Sequence, residues 1–169
     1  MELLLGCGKN WQKKVTFEKI PKDWYELVTL DIDPGTKCKV VHDLEELPLP
    51  FDDDMFDEIH AYEVLEHTGQ QGDFKFFFNQ FYEFWRILKP GGYFCATVPM
   101  WDGVWAWADP GHKRVITADS LAFLSQKEYE AQISKTSMTD YRPFWEGDFD
   151  LIAKTEDQDT LGFVIQAVK

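Results

Sequence analysis

Short apolar runs that stop at glycine, aspartate or proline recur through the first hundred residues, with one dense aromatic stripe among them. Leu3-Leu4-Leu5 runs straight into Gly6-Cys7-Gly8. An apolar run that halts at glycines predicts a buried parallel strand followed by a tight turn. Val28-Thr29-Leu30-Asp31-Ile32-Asp33 predicts a second strand ending in a carboxylate, and Pro34-Gly35 then turns the chain. Lys39 to Leu44 predicts a short third strand and Phe56 to Tyr62 a fourth. Phe74 to Leu88 is the clearest helix: Phe74, Phe77, Phe78, Phe81, Trp85 and Leu88 recur at spacings of three and four, and Phe76, Phe84 and Ile87 widen the stripe. Asp73 stands at its capping position, and Lys89-Pro90-Gly91-Gly92 ends it. Tyr93 to Val98 predicts a fifth strand, Gly162 to Val168 the last.

The remaining segments are less regular. Asn10 to Lys19 has poor apolar periodicity and Pro21 follows, which predicts a short helix or an irregular loop. Met100 to Ala108 carries Trp101, Trp105 and Trp107 and reads equally as a substrate lid or as a loop shielding the sheet. Thr117 or Asp119 can cap a helix near Ser120 to Gln126. Glu128 to Ser134 and Phe149 to Ala153 read as strand pieces, separated by an aromatic turn from Tyr141 to Trp145.

Composition narrows the class. The 169 residues fit a single domain spanning 1–169 with a sizeable core, 44% of them hydrophobic. No apolar run approaches the roughly 20 residues of a membrane span, and no signal-peptide pattern opens the chain. Three widely spaced cysteines argue against a disulfide framework and a zinc site, and predict a reducing cytoplasm. Asp52-Asp53-Asp54 lacks the alternating spacing of a calcium loop and reads as a solvated turn, so no metal is expected. A net charge of −13 disfavours nucleic acid, which needs clustered Lys and Arg on its phosphates.

Candidate chemistry gathers at the strand ends. In an open α/β sheet, ligands bind beyond the carboxyl ends of the strands. Gly6 and Gly8 there let a ligand approach the backbone, although a glycine turn alone describes an ordinary strand end equally well. Asp31 follows at about the 20-residue spacing from which a carboxylate accepts ribose hydroxyls. The third glycine of a dinucleotide fingerprint is missing and no full helix follows. A pyrophosphate is thus disfavoured, and a nucleoside cofactor without phosphate is permitted.

The order of Leu4-Leu5-Gly6-Cys7-Gly8, Leu30-Asp31-Ile32-Asp33-Pro34, Asp43-Leu44-Glu45-Glu46-Leu47-Pro48, Phe56-Asp57-Glu58-Ile59, Val64-Leu65-Glu66-His67 and Leu88-Lys89-Pro90-Gly91-Gly92 closely resembles the class I S-adenosylmethionine-dependent methyltransferases, in particular the methyltransferase type 11 group. The resemblance implies an α/β, three-layer Rossmann-like methyltransferase fold with a mostly parallel sheet and an antiparallel last strand. The family's N-terminal helix is missing, since the chain opens at the strand. S-adenosylmethionine is the implied cofactor. By resemblance, Gly6, Cys7 and Gly8 let the backbone approach its amino-acid end. Asp31, with Ile32 beside it, meets the ribose, and Asp43 with the Leu44 backbone meets the adenine. Tyr62 and Glu63 flank the methionine part near the methyl. The family's third glycine is Asn10 here.

Asp109-Pro110-Gly111-His112-Lys113-Arg114 more loosely resembles a D-P-x-H-x-R segment of relatives associated with polysaccharide and glycan pathways. That implies a small-molecule or glycan-precursor acceptor. Methyl transfer is an in-line displacement, served by alignment and exclusion of water. An oxygen acceptor also needs its proton removed, for which His112 and His67 are the candidate catalytic bases. The alternative is a methyltransferase-like binding subunit without catalysis. The pattern leaves the oligomeric state open.

Overall fold

The computed structural model describes residues 1–169. The apolar runs form a seven-stranded sheet: β1 Glu2–Leu5, β2 Leu27–Asp31, β3 Val40–Val41, β4 Phe56–Tyr62, β5 Leu88–Pro99, β6 Phe149–Glu156 and β7 Thr160–Ala167, in the order β3-β2-β1-β4-β5-β7-β6. Strands β1 to β5 pair in parallel, and β7 runs antiparallel between β5 and β6. The α/β class with an antiparallel last strand is therefore present. Strand order reverses beside β1, which has β2 on one side and β4 on the other, and this opens a crevice beyond their carboxyl ends.

The aromatic stripe behaves as its period predicts. Helix α1, Phe74–Ile87, starts where Asp73 accepts the Phe76 N–H at 3.0 Å. Phe78, Phe81, Phe84 and Ile87 are buried against one sheet face, with Phe84 stacked on Phe94 at 4.7 Å between ring centroids. The face presented to it is Leu3, Leu5, Ile59, Ala61 and Ala96. Truncating any one of these phenylalanines to alanine costs about 3–5 kcal/mol. The same core takes in Leu121, Leu124 and Tyr129 from the segment holding α3 Ala118–Leu121 and α4 Gln126–Gln132, which follow the short α2 Trp105–Ala108.

The opposite face has no helix on it. A parallel sheet needs both faces covered, and here Val15, Phe17, Ile20 and Trp24, from an irregular stretch, lie over Leu4, Tyr62, Cys95 and Val164. Of the two outcomes predicted for Asn10 to Lys19, the irregular one is observed. Irregular chain leaves backbone groups without partners, and side chains of the sheet supply them. The Tyr62 hydroxyl accepts the Lys14 and Val15 N–H groups at 3.1 and 3.3 Å, and Glu2 Oε2 accepts those of Tyr25 and Glu26 at 2.7 and 2.9 Å. Lys13 Nζ is buried between Glu2 Oε1 at 2.9 Å and Glu58 Oε2 at 2.6 Å. His60 Nε2 donates to Glu58 at 2.9 Å, and its Nδ1 accepts the Tyr62 hydroxyl at 2.7 Å.

Three predicted elements change. Glu128 to Ser134, read as strand, is helix as far as Gln132 and turn beyond it, because Ser125 caps α4 through the Glu128 N–H and Tyr129 alone is buried on it. The third strand shrinks to Val40–Val41, since it pairs only with the end of β2. Strand β5 begins at Leu88, so Lys89-Pro90-Gly91-Gly92 lies in the strand, where Leu88 pairs with Phe56. Thr117, not Asp119, caps α3.

Replacing Lys13 by alanine leaves two carboxylates buried without their cation, and is expected to cost about 3–5 kcal/mol in urea unfolding. The cluster also makes stability pH-dependent. Burial pushes the His60 imidazole below its ordinary value, against the pull of Glu58. Burial pushes Glu58 up, but the hydrogen bonds from His60 and Lys13 outweigh it and hold the carboxyl below its usual range. Both groups bind fewer protons folded than unfolded, so this stability is complete above pH ~6.5 and declines as pH falls, first through His60 and then, below about 4.5, through Glu58. Urea midpoints measured from pH 8 to 4 are expected to fall accordingly, and His60→Gln to flatten the segment just below pH 6.5.

Candidate active site

The crevice at the strand ends is a cleft of about 290 Å³. Gly6 forms its floor. Its φ of +53° is left-handed, and a Cβ there would stand 2.5 Å from Val64 Cγ2, so the turn leaving β1 closes against the chain leaving β4 only with glycine. Asp31 ends β2 at the cleft wall. Its Oδ2 accepts the Gly8 N–H at 2.8 Å and its Oδ1 the Asp33 N–H at 2.9 Å. These bonds fix the carboxylate while each oxygen keeps a lone pair for a ligand hydroxyl. Asp43 and Leu44 line the next wall. Asp43 is half-buried, with Oδ1 holding the Glu45 N–H at 2.9 Å, and the Leu44 N–H donates to no protein acceptor. Glu63 lines the far side in the left-handed region, φ 54°, with its N–H on Thr97 O at 2.9 Å. A non-glycine residue held there is strained, and such strain gathers at binding sites. An ion pair crosses the rim: Lys113 Nζ lies 2.7 Å from Glu45 Oε1 and holds that carboxyl below its ordinary range.

Of the residues expected at the cofactor, Gly6, Asp31, Ile32, Asp43, Leu44 and Glu63 come together in this cleft. Gly8 contributes its N–H to Asp31 from outside it. Cys7 and Tyr62 do not reach it. Cys7 is 4% exposed and packs with Leu4 and Tyr62 on the helix-free face, where burial pushes its thiol up. Tyr62 alternates to that same face and spends its hydroxyl on His60 and the Lys14 and Val15 amides, with burial pushing it up to about 12.

A second cluster adjoins the cleft. The 3₁₀ turn Leu65–His67 receives the stretch that carries His112. Lys113 N–H donates to Glu66 O at 2.8 Å, and Arg114, buried, donates through Nε to Leu65 O at 2.9 Å and through Nη2 to Thr68 Oγ1 at 3.0 Å and to Gln80 Oε1. This docking brings the rings of His67 and His112 to 4.7 Å between centroids. His67 lines the cleft, whereas His112 lies behind it beside Glu66. Glu66 is 2% exposed, and neither carboxylate oxygen has a hydrogen-bond partner. Burial pushes its carboxyl up to about 8. In the sequence Glu66 stands out only as part of Val64-Leu65-Glu66-His67. Its burial depends on contacts with residues nearly fifty positions away, which no local pattern carries. Trp101, Trp105 and Trp107 stand in solvent beyond β5, with Trp107 Nε1 on Trp101 O at 2.9 Å, so they do not shield the sheet.

A family model described as a methyltransferase domain matches residues 3–96. The chain is thus a methyltransferase by fold and family. It belongs to the methyltransferase domain family, and solved structures share its fold. An S-adenosylmethionine-dependent methyltransferase from Archaeoglobus fulgidus superposes with a TM-score of 0.59 at 16% identity, covering 98% of this chain and 85% of that one. The N-methyltransferase NodS from Bradyrhizobium japonicum, solved with S-adenosylhomocysteine, gives 0.57 at 15% identity, over 99% and 78%. A methyltransferase described as putative, from Listeria monocytogenes, gives 0.57 at 13%, over 99% and 91%. No curated protein sequence matches the chain. No helix is long and apolar enough to cross a membrane.

Gly6→Ala is expected to destabilise the fold by about 1–3 kcal/mol, from the Val64 clash and the left-handed backbone together. It is also expected to weaken cofactor binding at least tenfold. Chemical denaturation reads the first effect, and calorimetry with S-adenosylhomocysteine the second.

Proposed function

We propose that the chain transfers a methyl group from S-adenosylmethionine to a small-molecule or glycan-precursor acceptor. The observation that carries the reading is the convergence of Gly6, Asp31, Asp43, Leu44 and Glu63 on one cleft at the switch point of a methyltransferase-family sheet. The donors present suit a nucleoside. Asp31 keeps acceptor capacity for a ribose diol, Leu44 offers a free N–H beside the Asp43 carboxylate for an adenine edge, and Leu30, Ile32 and Val64 supply apolar contact. Asp31, Asp43 and Glu63 also make the cleft acidic, which suits a ligand carrying a sulfonium and an ammonium better than one carrying phosphates.

When bound, S-adenosylmethionine supplies a methyl already activated on positive sulfur. The residues of this chain then have three tasks. The Gly6 turn and Glu63 fix the methionine end, Asp31 and Leu44 fix the nucleoside, and together they set the line of attack. The segment beyond β5 closes the acceptor side, and its exposed Trp101, Trp105 and Trp107 offer flat apolar faces of the kind that stack on a sugar ring. His67, at the edge of the cleft, holds its Nδ1 on Gly111 O at 3.2 Å, leaving Nε2 to take the proton of an acceptor hydroxyl. The net charge of −13 opposes a nucleic-acid acceptor, and three free cysteines suit a reducing, cytoplasmic setting.

Calorimetric titration of S-adenosylmethionine and S-adenosylhomocysteine into the full chain and into Asp31→Ala tests the reading. Micromolar binding is expected, weakened at least tenfold in the variant. A folded wild-type protein that binds neither ligand overturns it.

A further inference from the structure

We propose that Glu66, His67 and His112 form a site for one divalent transition-metal ion at the acceptor side of the cleft. Each of the three offers a ligand atom, and these atoms all lie within 4.8 Å of one another. Glu66 Oε1 is 4.0 Å from His67 Nε2. Two donors bound tetrahedrally at ~2.1 Å to the same ion lie about 3.4 Å apart, so rotation of the two rings, moving each nitrogen by roughly an ångström or less, closes the set.

The second observation is what the chain leaves unpaired. Both oxygens of Glu66 and the Nδ1 of His112 are buried with no hydrogen-bond partner. Buried polar atoms without partners are rare and costly. Arg114, the nearby cation, is engaged by Leu65 O, Thr68 and Gln80. A single cation between the three side chains supplies the partner that Glu66 and His112 lack.

The surroundings prepare the ligands for it. Nδ1 of His67 is on Gly111 O, which leaves Nε2 facing Glu66 with its lone pair free. Nε2 of His112 has the Asp109 carboxylate 3.9 Å away, and its Nδ1 is the orphaned atom. A carbonyl or carboxylate behind each ligating imidazole is the usual outer support of a metal site. Two imidazoles and one carboxylate select zinc, cobalt or iron over magnesium or calcium, and three protein ligands leave a position open.

That open position falls on the His67 side, where His67 lines the cleft. The ion's role, which rests on the methyl-transfer reading, is to hold and acidify an acceptor hydroxyl. The ion replaces His67 as the base, since it occupies the Nε2 lone pair: the hydroxyl proton passes to water, the oxygen forms the new C–O bond, and the S–C bond breaks with its electron pair left on sulfur. The acceptor class is thereby a hydroxyl compound. Binding of the ion does not rest on that reading.

Cobalt(II) absorbance and zinc calorimetry on the full chain, stripped of metal by chelator, test the site. Wild type is expected to bind one equivalent, to show visible cobalt bands, and to melt at higher temperature as zinc is raised. Glu66→Gln and His112→Ala are expected to bind at least a hundredfold more weakly. His67→Ala, at a half-exposed ring, keeps the test open if either buried variant misfolds. No stoichiometric uptake by wild type, or equal uptake by folded variants, overturns the site. S-adenosylhomocysteine titrated into the same stripped protein separates the two proposals. Cofactor binding without metal uptake sinks the ion alone, and metal uptake without cofactor binding sinks only the methyl-transfer reading.

Discussion

The buried ion cluster of Lys13 with Glu2 and Glu58 is the constraint on which the rest of the sheet depends. A parallel sheet has two faces to cover, and only one of them receives helices here. An irregular segment must cover the other, and such a segment brings unpaired amides with it. Glu2 and Tyr62 accept four of those amides, and Lys13 neutralises the carboxylates that burial would otherwise penalise. Breaking the cluster costs far more than the pair contributes net, because each remaining charge stays buried. The cluster anchors β1 from beneath, and β1 carries Gly6 to the centre of the cleft.

The same economy operates at the acceptor side, with the opposite outcome. Arg114 is buried as Lys13 is, but its partners are a carbonyl, a hydroxyl and an amide rather than carboxylates. It therefore fixes the position of the Leu65–His67 turn without neutralising Glu66 one residue along. The helix-free face ends with its polar atoms satisfied. The acceptor side ends with Glu66 and His112 unsatisfied. The two clusters differ in what the chain itself supplies: Glu2 and Glu58 receive a buried cation, and Glu66 receives none in contact.

Where the sequence was legible, the signal was local. The α1 stripe, its Asp73 cap, the glycine turn and the carboxylate at the end of β2 each follow from periods or spacings within one element. Glu128 to Ser134 misled because a two-turn helix with Tyr129 alone buried shows no helical period. Tyr62 ends β4 next to the cleft but does not line it. Alternation puts it with His60 and Glu58, and nothing local tells which face of a two-sided buried strand meets the ligand. Glu66 was hidden for a related reason: its isolation is created by Arg114 and His112, far along the chain.

The cleft's charge links its binding task to turnover. Asp31, Asp43 and Glu63 face it, and Lys113, its only lysine or arginine, is already paired with Glu45 across the rim. A field of that sign favours a ligand bearing a sulfonium. Transfer of the methyl removes the sulfonium charge and leaves a neutral thioether, so the attraction that helps bind the donor weakens once the donor is spent. The exposed Glu45–Lys113 pair is worth about 1 kcal/mol or less. The charge of the cleft thus favours the sulfonium donor over the thioether left after transfer.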